Sequence, residues 1–550
     1  MYAPTAVADS SGILGTMPQR SRRTVPPLNA AQDFKQFDLI AAERDRRMPR
    51  WKRAFNFMMP DRTAFEIGRQ AGETPCKPVD SYPAHALQRG VGKLISVLFP
   101  PGRVWFEFVA GDKIPEQQHD QANAAAEFWR DQSFGYMVRS GFDAELEAMM
   151  PDAMCAVGEL RIERGPSVEE PCVVHATPLN ELYPIIGPNG ATVGRMRKYE
   201  CEAAHVEELF AGPGRKVNIP IALTERAQTH PQAKVWLLEI YRTLKGVGQR
   251  TTVYWCETKE VILDHVGMDP DEPSASVLVP WRRVAGAAYG LPGPVDRSLE
   301  TVEYYNHRRD VEAKAGDRRV DPATLVDTDA GLFADTFQNV PRAVIPYSSA
   351  LMQGRQPVQQ LTDSGNVNYE KVMIADLKEQ IDEMLFASRV LPPVGESHQM
   401  TAAEIRVREQ QQLREDGVDF AVFNSIVGEA VISRYLWVLQ SWGLVPKALK
   451  VNGRVFRIRY AGPLSTAQDS DDAVTLEVAV QTSIATVGME ITSDRIRLED
   501  VPGEILRKRN APSKLIRTQE EGDQREHARI QAMIAQAAAD AGVLPEQQAQ

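Results

Sequence analysis

The stretch of this chain that comes nearest to a phosphate-binding loop is the glycine–lysine segment Gly90–Leu94. Such a loop carries a further glycine five residues before the Gly-Lys pair and a Ser or Thr after the lysine, because backbone N–H groups and a hydroxyl must hold the phosphates and Mg²⁺. Leu87 and Leu94 occupy those two positions here. The segment also lies within a helical pattern and not after a strand. The sequence therefore argues against a nucleotide site.

Patterns for metal binding and for nucleophilic catalysis are also weak. The nine histidines are scattered and form no His-Glu-x-x-His motif. Adjacent carboxylates such as Asp382-Glu383 and Asp471-Asp472 are typical of solvated faces. Cys155 and His175 could pair, but the apolar context of Cys155 favours core packing, and there is no Gly-x-Ser-x-Gly elbow. We expect no catalytic residues, no metal and no cofactor. The alternative is a two-metal nuclease, which would need carboxylates that converge from several strand ends.

Composition narrows the class of protein further. The 550 residues carry a net charge of −11, which disfavours tight wrapping of DNA but is compatible with DNA that slides past. Five widely spaced cysteines with no Cys-x-x-Cys favour free thiols over disulfides or zinc. No apolar run approaches the roughly 20 residues that span a membrane, and no signal-peptide pattern is present. We expect a soluble, non-secreted chain without a membrane contact.

Hydrophobic periodicity predicts an α+β fold that is predominantly helical. Residues 1–30 are predicted to be a flexible arm. Pro49 is predicted to kink or split the first helix, and Thr401–Glu404 matches the sequence pattern of a capping box. The predicted helices are Asp33–Met59, Tyr82–Phe99, 119–150, 295–319, 366–389 and Thr401–Trp442, followed by a largely helical C-terminal region. The predicted β segments are Val104–Phe108, a larger region from Glu159 to Val266, and Val455–Tyr460.

Two of these helices, 295–319 and 366–389, bracket a turn-rich insert at 320–365. Each is about 36 Å long at 1.5 Å per residue. The pair has two interpretations, an ordinary helical hairpin within a globular core or two stem helices that carry a protruding docking module. Both helices are rich in charge, including Arg308, Arg309, Lys371 and Lys378. Several such pairs in a ring could satisfy these charges across subunits.

Five groups of residues, in this order along the chain, resemble the podovirus head-to-tail connector (portal) family over roughly 33–517. Departures occur at Leu291-Pro292, where the family often has Arg-Gly, and at Ala323, where it often has Pro. The five groups are Arg44–Pro60; Asp80–Tyr82 with Leu94–Pro101 and Trp105-Phe106; Pro280–Arg282 with Ala288–Pro294, Leu299 and Asp321-Pro322; Met400–Ile405 with Arg408; and Tyr460–Ser465 with Gln468.

The resemblance implies a division of the chain into the regions of a portal-type ring subunit, with wing, stem, clip and crown. These regions are an N-terminal arm at 1–30, the first part of the wing at 31–294, a stem helix at 295–319, the clip at 320–365, a second stem helix at 366–389, a tunnel loop at 390–400, the wing spine helix and a β segment at 401–489, and the crown with a helical tail at 490–550.

The resemblance also implies a function without enzymatic chemistry. A homododecamer at one capsid vertex would form the channel for double-stranded DNA. It would dock the terminase large subunit and tail adaptor proteins and would meet the major capsid and scaffolding proteins, in the virion and, during assembly, in the host cytoplasm. Arg389, His398 and Arg406 have two interpretations, weak contacts with the phosphates of the DNA or plain exposure at the surface, and we predict the contacts. The alternatives are a DNA-packaging ATPase or nuclease, or another virion structural or scaffolding protein.

Overall fold

The computed structural model describes most of the N-terminal two thirds of the chain and separate segments beyond it. The described residues are 25–60, 62, 78–111, 114, 119–187, 192–210, 217–244, 247–267, 269–284, 286–320, 324–326, 358–360, 367–388, 427–446, 456–460, 463–488, 501–508 and 531.

Helices of the described chain follow the apolar periodicity of the sequence. They are α1 (Ala30–Met58), α2 (Tyr82–Leu98), α3 (His119–Arg139), α4 (Phe142–Cys155), α5 (Val206–Phe210), α6 (Ile221–Thr229), α7 (Pro294–Arg297), α8 (Leu299–Val320), α9 (Val367–Met384), α10 (427–441), α11 (Pro463–Val487) and α12 (Val501–Lys508). None of them is both long and apolar enough to cross a membrane.

Strands of the described chain form antiparallel sheets. They are β1 (Phe106–Ala110), β2 (Val157–Arg164), β3 (Cys172–Thr177), β4 (Leu182–Ile186), β5 (Thr192–Glu202), β6 (Lys234–Leu244), β7 (Gly248–Trp255), β8 (Val261–Val266), β9 (Ser276–Pro280), β10 (Thr324–Val326), β11 (Val358–Gln360) and β12 (Phe456–Tyr460).

The chain divides into two compact units. Among the described residues, the first unit comprises those up to Glu43 together with those of Glu181–Ser274, and the second comprises those of Arg44–Asn180 together with those from Ala275 onward. Helix α1 contributes its first part to one unit and the remainder to the other. The boundary at Glu181 and Ser274 shows that a whole sheet is inserted between elements of the second unit.

A five-stranded antiparallel sheet in the order β4-β5-β6-β7-β8 forms the first unit. Successive residues of a strand point to opposite faces. Leu237 therefore packs in a cluster with residues of α5 and α6, whereas Leu238 packs in a second cluster with Phe37 of α1. Burial of both faces explains why the sequence of β6, Val235–Tyr241, reads as a nearly continuous apolar run.

The second unit has a three-stranded sheet in the order β3-β2-β9, with α4 packed against it. Strands β1 and β12 pair over Phe106↔Tyr460 to Ala110↔Phe456, so they join segments about 350 positions apart in the chain. An aromatic cluster with Trp105, Phe99 and Phe142 lies beside β1. This unit also contains the helix pair α8–α9.

Within the described residues the predicted helices are largely confirmed, with three corrections. The predicted helix 295–319 is interrupted at Ser298, which separates α7 from α8. Of the predicted helix Thr401–Trp442, only the part from 427 onward lies within the described residues. The predicted helix 119–150 is two helices, because Gly141 adopts φ +74°, in the left-handed region, and separates α3 from α4. The predicted helix 366–389 ends at Met384, because Phe386 has φ +58° and the N–H of Ala387 bonds to the carbonyl of Asp382 at 2.7 Å. Helix α1 is not split at Pro49. The capping box Thr401–Glu404 lies outside the described residues.

The predicted β region from Glu159 to Val266 is confirmed. The strands predicted within it correspond to β2, β3, β6 and β7 and were placed at Leu160–Glu163, Cys172–His175, Val235–Tyr241 and Thr252–Trp255. Strands β4, β5, β8 and β9 and the short helices α5 and α6 were not predicted individually. Strands β4, β8 and β9 and helix α5 span only five or six residues each, which is too few for hydrophobic periodicity to separate them from loops. The mixed helix-and-sheet composition confirms the α+β part of the predicted fold class. The division into wing, stem, clip and crown stays a prediction.

Candidate connector helices

Helices α8 and α9 pack against each other as an antiparallel pair. The hydroxyl of Thr301 lies 3.9 Å from the sulfur of Met384, and the guanidinium of Arg308 lies 3.1 Å from the carboxylate of Glu370. The start of α8 therefore lies beside the end of α9, and a later part of α8 lies beside the start of α9. Each helix presents an apolar stripe at helical spacing to the interior. The buried residues of these stripes are Leu299, Val302 and Tyr305 on α8, and Ile374, Leu377 and Ile381 on α9.

The N-terminal end of α8 is tied to α1 by one arginine. Arg50 donates to the carboxylate of Asp296 at 2.8 Å and to its carbonyl at 2.7 Å, and it also pairs with the carboxylate of Glu300. Burial raises the pKa of Asp296, and Arg50 opposes that shift, whereas the hydrogen bond from Arg50 lowers the pKa of Glu300. The guanidinium therefore fixes the start of the helix pair through several charge-assisted bonds.

A second tie runs from α8 to the segment just before α2. The carboxylate of Asp80 accepts hydrogen bonds from the Tyr305 hydroxyl at 2.6 Å, from Arg309 at 2.8 Å and from the Tyr82 N–H at 2.9 Å. Burial alone would raise the pKa of Asp80, but these three donors outweigh it, and the pKa lies below its ordinary value. Asp80 therefore acts as an ionised acceptor that joins the start of α2 to the middle of α8.

Helix α9 is held against α2 at its C-terminal end. Arg89 donates to Asp382 at 2.7 Å. One position further on, the backbone of α2 approaches so closely that a Cβ at Gly90 would lie 2.0 Å from the carbonyl oxygen of Leu385. Only glycine allows this approach without a shift of the backbone. The glycine–lysine segment is thus a helix-packing feature inside α2 and not a phosphate loop.

Most of the cations that were predicted for the stem contact other residues of the same subunit. Arg308 bonds to Glu370 and to the Tyr304 hydroxyl, and Arg309 bonds to Asp80 and Glu312. The ammonium of Lys378 lies 4.7 Å from the centre of the Tyr82 ring. Lys371 is exposed and has no ion-pair partner in the described chain. Three of the four cations are therefore engaged within one subunit.

The other predicted site residues are Arg389, His398 and Arg406, and they lie outside the described residues. Reasoning from the sequence missed Arg50, Asp80 and Gly90 as the residues that position the helix pair. Asp80 stood among the residues of the family resemblance, but its partner Arg309 is 229 positions away. No local pattern links residues at such separations.

Groups that could support chemistry are arranged for packing in the described chain. Cys155 is fully buried, and burial raises the pKa of its thiol well above the ordinary value, so it is a poor nucleophile. Asp152 is buried beside it and forms a bidentate pair with Arg62 at 2.7 and 2.8 Å. Among the described residues, no cluster of His, Cys, Asp and Glu could hold a metal ion.

Two described strands belong to the insert between α8 and α9. Strand β10 pairs antiparallel with β11 over Thr324↔Gln360, Leu325↔Gln359 and Val326↔Val358. This short ladder brings together the two ends of the insert that the helix pair carries. The rest of the predicted clip lies outside the described residues.

Comparison with known proteins gives one strong result and several weak ones. No curated protein sequence matches the chain. A chain of the virion of a native gene transfer agent particle is similar with a TM-score of 0.35 and 12% identity, covering 80% of this chain and 95% of that chain. A chain from the neck of an empty gene transfer agent particle, computed with C6 symmetry, gives a TM-score of 0.35 and 11% identity, covering 75% of this chain and 87% of that chain. These two likenesses are too weak to carry an argument.

A family model that matches most of the sequence shows to which family the chain belongs. The model of the family described as bacteriophage head to tail connecting protein matches residues 32–516. That span closely follows the range over which the residues resemble a connector, and it includes both units and the helix pair α8–α9. The chain therefore belongs to the family of bacteriophage head-to-tail connecting proteins.

Proposed function

We propose that this chain is a portal subunit, of which twelve copies form a ring at one capsid vertex. The single observation that carries the proposal is the family match across 32–516. The antiparallel pair α8–α9, with an insert between its helices, provides the element that would line the channel. In this proposal DNA passes through the ring during packaging and ejection, and a separate ATPase drives it.

Within this proposal, the regions of the chain have separate roles. The helices near 295–319 and 366–389 form the stem, and the insert 320–365 forms the clip. The clip would dock the terminase large subunit during packaging and tail adaptors afterwards. The wing at 31–294 and 401–489 would meet the major capsid and scaffolding proteins, and the crown at 490–550 would face the interior of the head.

The charges of the helix pair support a channel through which DNA slides. Arg308 and Arg309 are already paired with Glu370 and Asp80, so they have little capacity left for phosphates. The chain as a whole carries a net charge of −11. A protein that neutralises many phosphates binds DNA tightly and in a salt-dependent manner. A channel wall with few unpaired cations would instead make only weak contacts with the DNA phosphates, and these contacts could break as the DNA advances.

Electron microscopy of the purified full-length chain tests the proposal. We expect negative-stain images to show rings with a central hole, with a mass by light scattering that corresponds to about twelve subunits. We expect a ring because identical head-to-tail contacts between neighbouring subunits rotate each copy by the same angle, and such an assembly closes when these rotations add up to a full turn. Monomers only, or closed shells, would rule out the portal and favour another virion structural or scaffolding protein.

A deletion variant in the same experiment tests whether ring formation and docking depend on different parts of the chain. We expect a chain that lacks 325–360 to form rings of unchanged diameter, because the ties made by Arg50, Asp80 and Arg89 lie outside the deleted residues. The deletion should abolish co-sedimentation with terminase and with tail adaptors. A deletion variant that forms no rings would contradict the assignment of 320–365 to the clip.

A further inference from the structure

The hairpin between β2 and β3 has a tightly built tip at residues 165–171. The N–H of Gly165 donates to the carbonyl of Pro171 at 2.8 Å, and the N–H of Glu170 donates to the Ser167 hydroxyl at 3.2 Å. Trp442 supports the base of this tip, because its indole N–H donates to the same Pro171 carbonyl at 3.2 Å. The tip is therefore held in one conformation before it meets any partner.

This rigid tip presents an apolar side chain beside acidic groups. Val168 is 49% exposed although it is a large aliphatic residue. Glu169 and Glu170 follow it directly, and both are exposed without an ion-pair partner in the described chain. A fixed turn that carries an apolar residue and two free carboxylates has the chemistry of a docking element for a cationic, aromatic pocket.

A pocket of matching chemistry lies in the same unit. It has a volume of about 460 Å³ and combines apolar walls with two guanidinium groups and one carboxylate. Trp281 and Phe386 form its aromatic wall, with ring centres 5.7 Å apart. Phe386 follows the end of α9 with a left-handed backbone, at φ +58°. Its other lining residues include Met384, Arg282, Arg297 and Glu383.

The tip and the pocket lie at opposite ends of one strand. The register pairs Val157 with Pro280 at the start of β2, and the N–H of Trp281 bonds to the carbonyl of Ala156 at 3.1 Å. The other end of β2 is Arg164, which leads into the tip. Eight residues of strand span roughly 26 Å at about 3.3 Å each. The tip therefore cannot fill the pocket of its own subunit.

We propose that the tip at 165–171 of one copy of this chain docks into the Trp281–Phe386 pocket of the next copy. Val168 packs on the aromatic wall, and Glu169 and Glu170 pair with Arg282 and Arg297. Two different complementary surfaces at opposite ends of β2 make a head-to-tail contact, which closes into a ring when the rotation per copy allows it. The inference rests on the proposed function, for which it supplies a subunit interface.

Charge reversal in the full-length chain tests this contact. The variants are Glu169→Arg with Glu170→Arg, Arg282→Glu with Arg297→Glu, and all four together. Each double variant should raise the protein concentration at which half of the chain is in rings by roughly 10-fold or more, because like charges then face each other. The fourfold variant should return this concentration towards the wild-type value. Glu207→Arg with Glu208→Arg, two exposed neighbouring residues of α5, serves as the control and should leave it unchanged.

Cysteine cross-linking tests the same contact without a change of charge. Val168→Cys combined with Met384→Cys should give a ladder of covalent oligomers on mild oxidation, and neither single variant should. Unchanged ring formation in both double charge variants would overturn the inference, as would a cysteine pair that yields no ladder while rings are present. If the wild-type chain itself forms no rings, the proposed function fails, and that outcome is visible before any variant is made.

Discussion

At the scale of single residues, Asp80 illustrates how one carboxylate can position two helices. It accepts three hydrogen bonds, from Tyr305, Arg309 and the Tyr82 backbone, and its side chain is 19% exposed. A carboxylate that accepts several donors favours its ionised form. Its pKa is accordingly lower in the folded chain than its ordinary value of 3.8, although burial alone would raise it. The tie between α2 and α8 is therefore sensitive to acid.

We expect Asp80→Asn to lower the free energy of unfolding at pH 7 by about 1–3 kcal/mol, because hydrogen bonds to a charged group are lost. The folded-state pKa of Asp80 is depressed, so its stabilising contribution is complete above the unfolded value and disappears as the pH falls through the folded value. The difference between wild type and variant should therefore narrow below about pH 4. Urea unfolding at several pH values measures it, and a difference that stays constant with pH would contradict the assigned role.

At the scale of elements, the two glycines of α2 have different surroundings. A Cβ at Gly90 would meet the Leu385 carbonyl oxygen at 2.0 Å, whereas a Cβ at Gly92 has no neighbour within 4 Å. Glycine is unfavourable within a helix, so its presence at 90 is explained by the contact with the end of α9. The same contact lies next to Phe386, whose ring lines the pocket described above.

Gly90→Ala and Gly92→Ala form a matched pair that tests this packing. Gly90→Ala should destabilise the chain by about 1–3 kcal/mol, because the added methyl group forces the backbone of α9 away from α2. Gly92→Ala should stabilise it by up to about 1 kcal/mol through helix propensity alone. Thermal unfolding followed by circular dichroism gives both values. Equal effects of the two substitutions would show that α2 and α9 are not in close contact.

At the scale of the whole molecule, the proposed portal function predicts which charged residues would contact DNA. Three of the four predicted stem cations, Arg308, Arg309 and Lys378, have partners in the same subunit, and Lys371 is exposed. In the proposed portal, Arg308, Arg309 and Lys378 would therefore contribute little to contacts with phosphates. Arg389, His398 and Arg406 stay predicted for this role.

We expect reversal of charge at Arg389 and Arg406 to shorten the packaged genome or reduce its retention, since a few weak phosphate contacts would be replaced by repulsion. The measurement is the length of DNA protected from nuclease in particles assembled with the variant. The control is Arg226→Glu on α6, which changes the charge by the same amount per residue at a surface position where the arginine pairs with Glu257. Unchanged length and retention in the Arg389 and Arg406 variant would exclude the contacts.

The sequence by itself determined the class of fold, most helices and the family, because these depend on patterns that repeat within a few residues. Helix α2 was predicted within one residue of its observed end, and the β region near 159–266 was located correctly. The order of residues from Arg44 to Ser465 was sufficient to indicate a connector. These local sequence patterns can be recognised without knowledge of the three-dimensional path of the chain.

Only the tertiary structure decided which charged residues form ion pairs and which glycine of α2 packs against the end of α9. Arg50 meets Asp296, Asp80 meets Arg309 and Arg89 meets Asp382 across 246, 229 and 293 positions. The pairing of ionic groups so far apart depends on how the helices cross, and side-chain periodicity contains no information on that. For the same physical reason, the tip at 165–171 and the Trp281–Phe386 pocket could be related to each other only after the register of β2 with β9 was known.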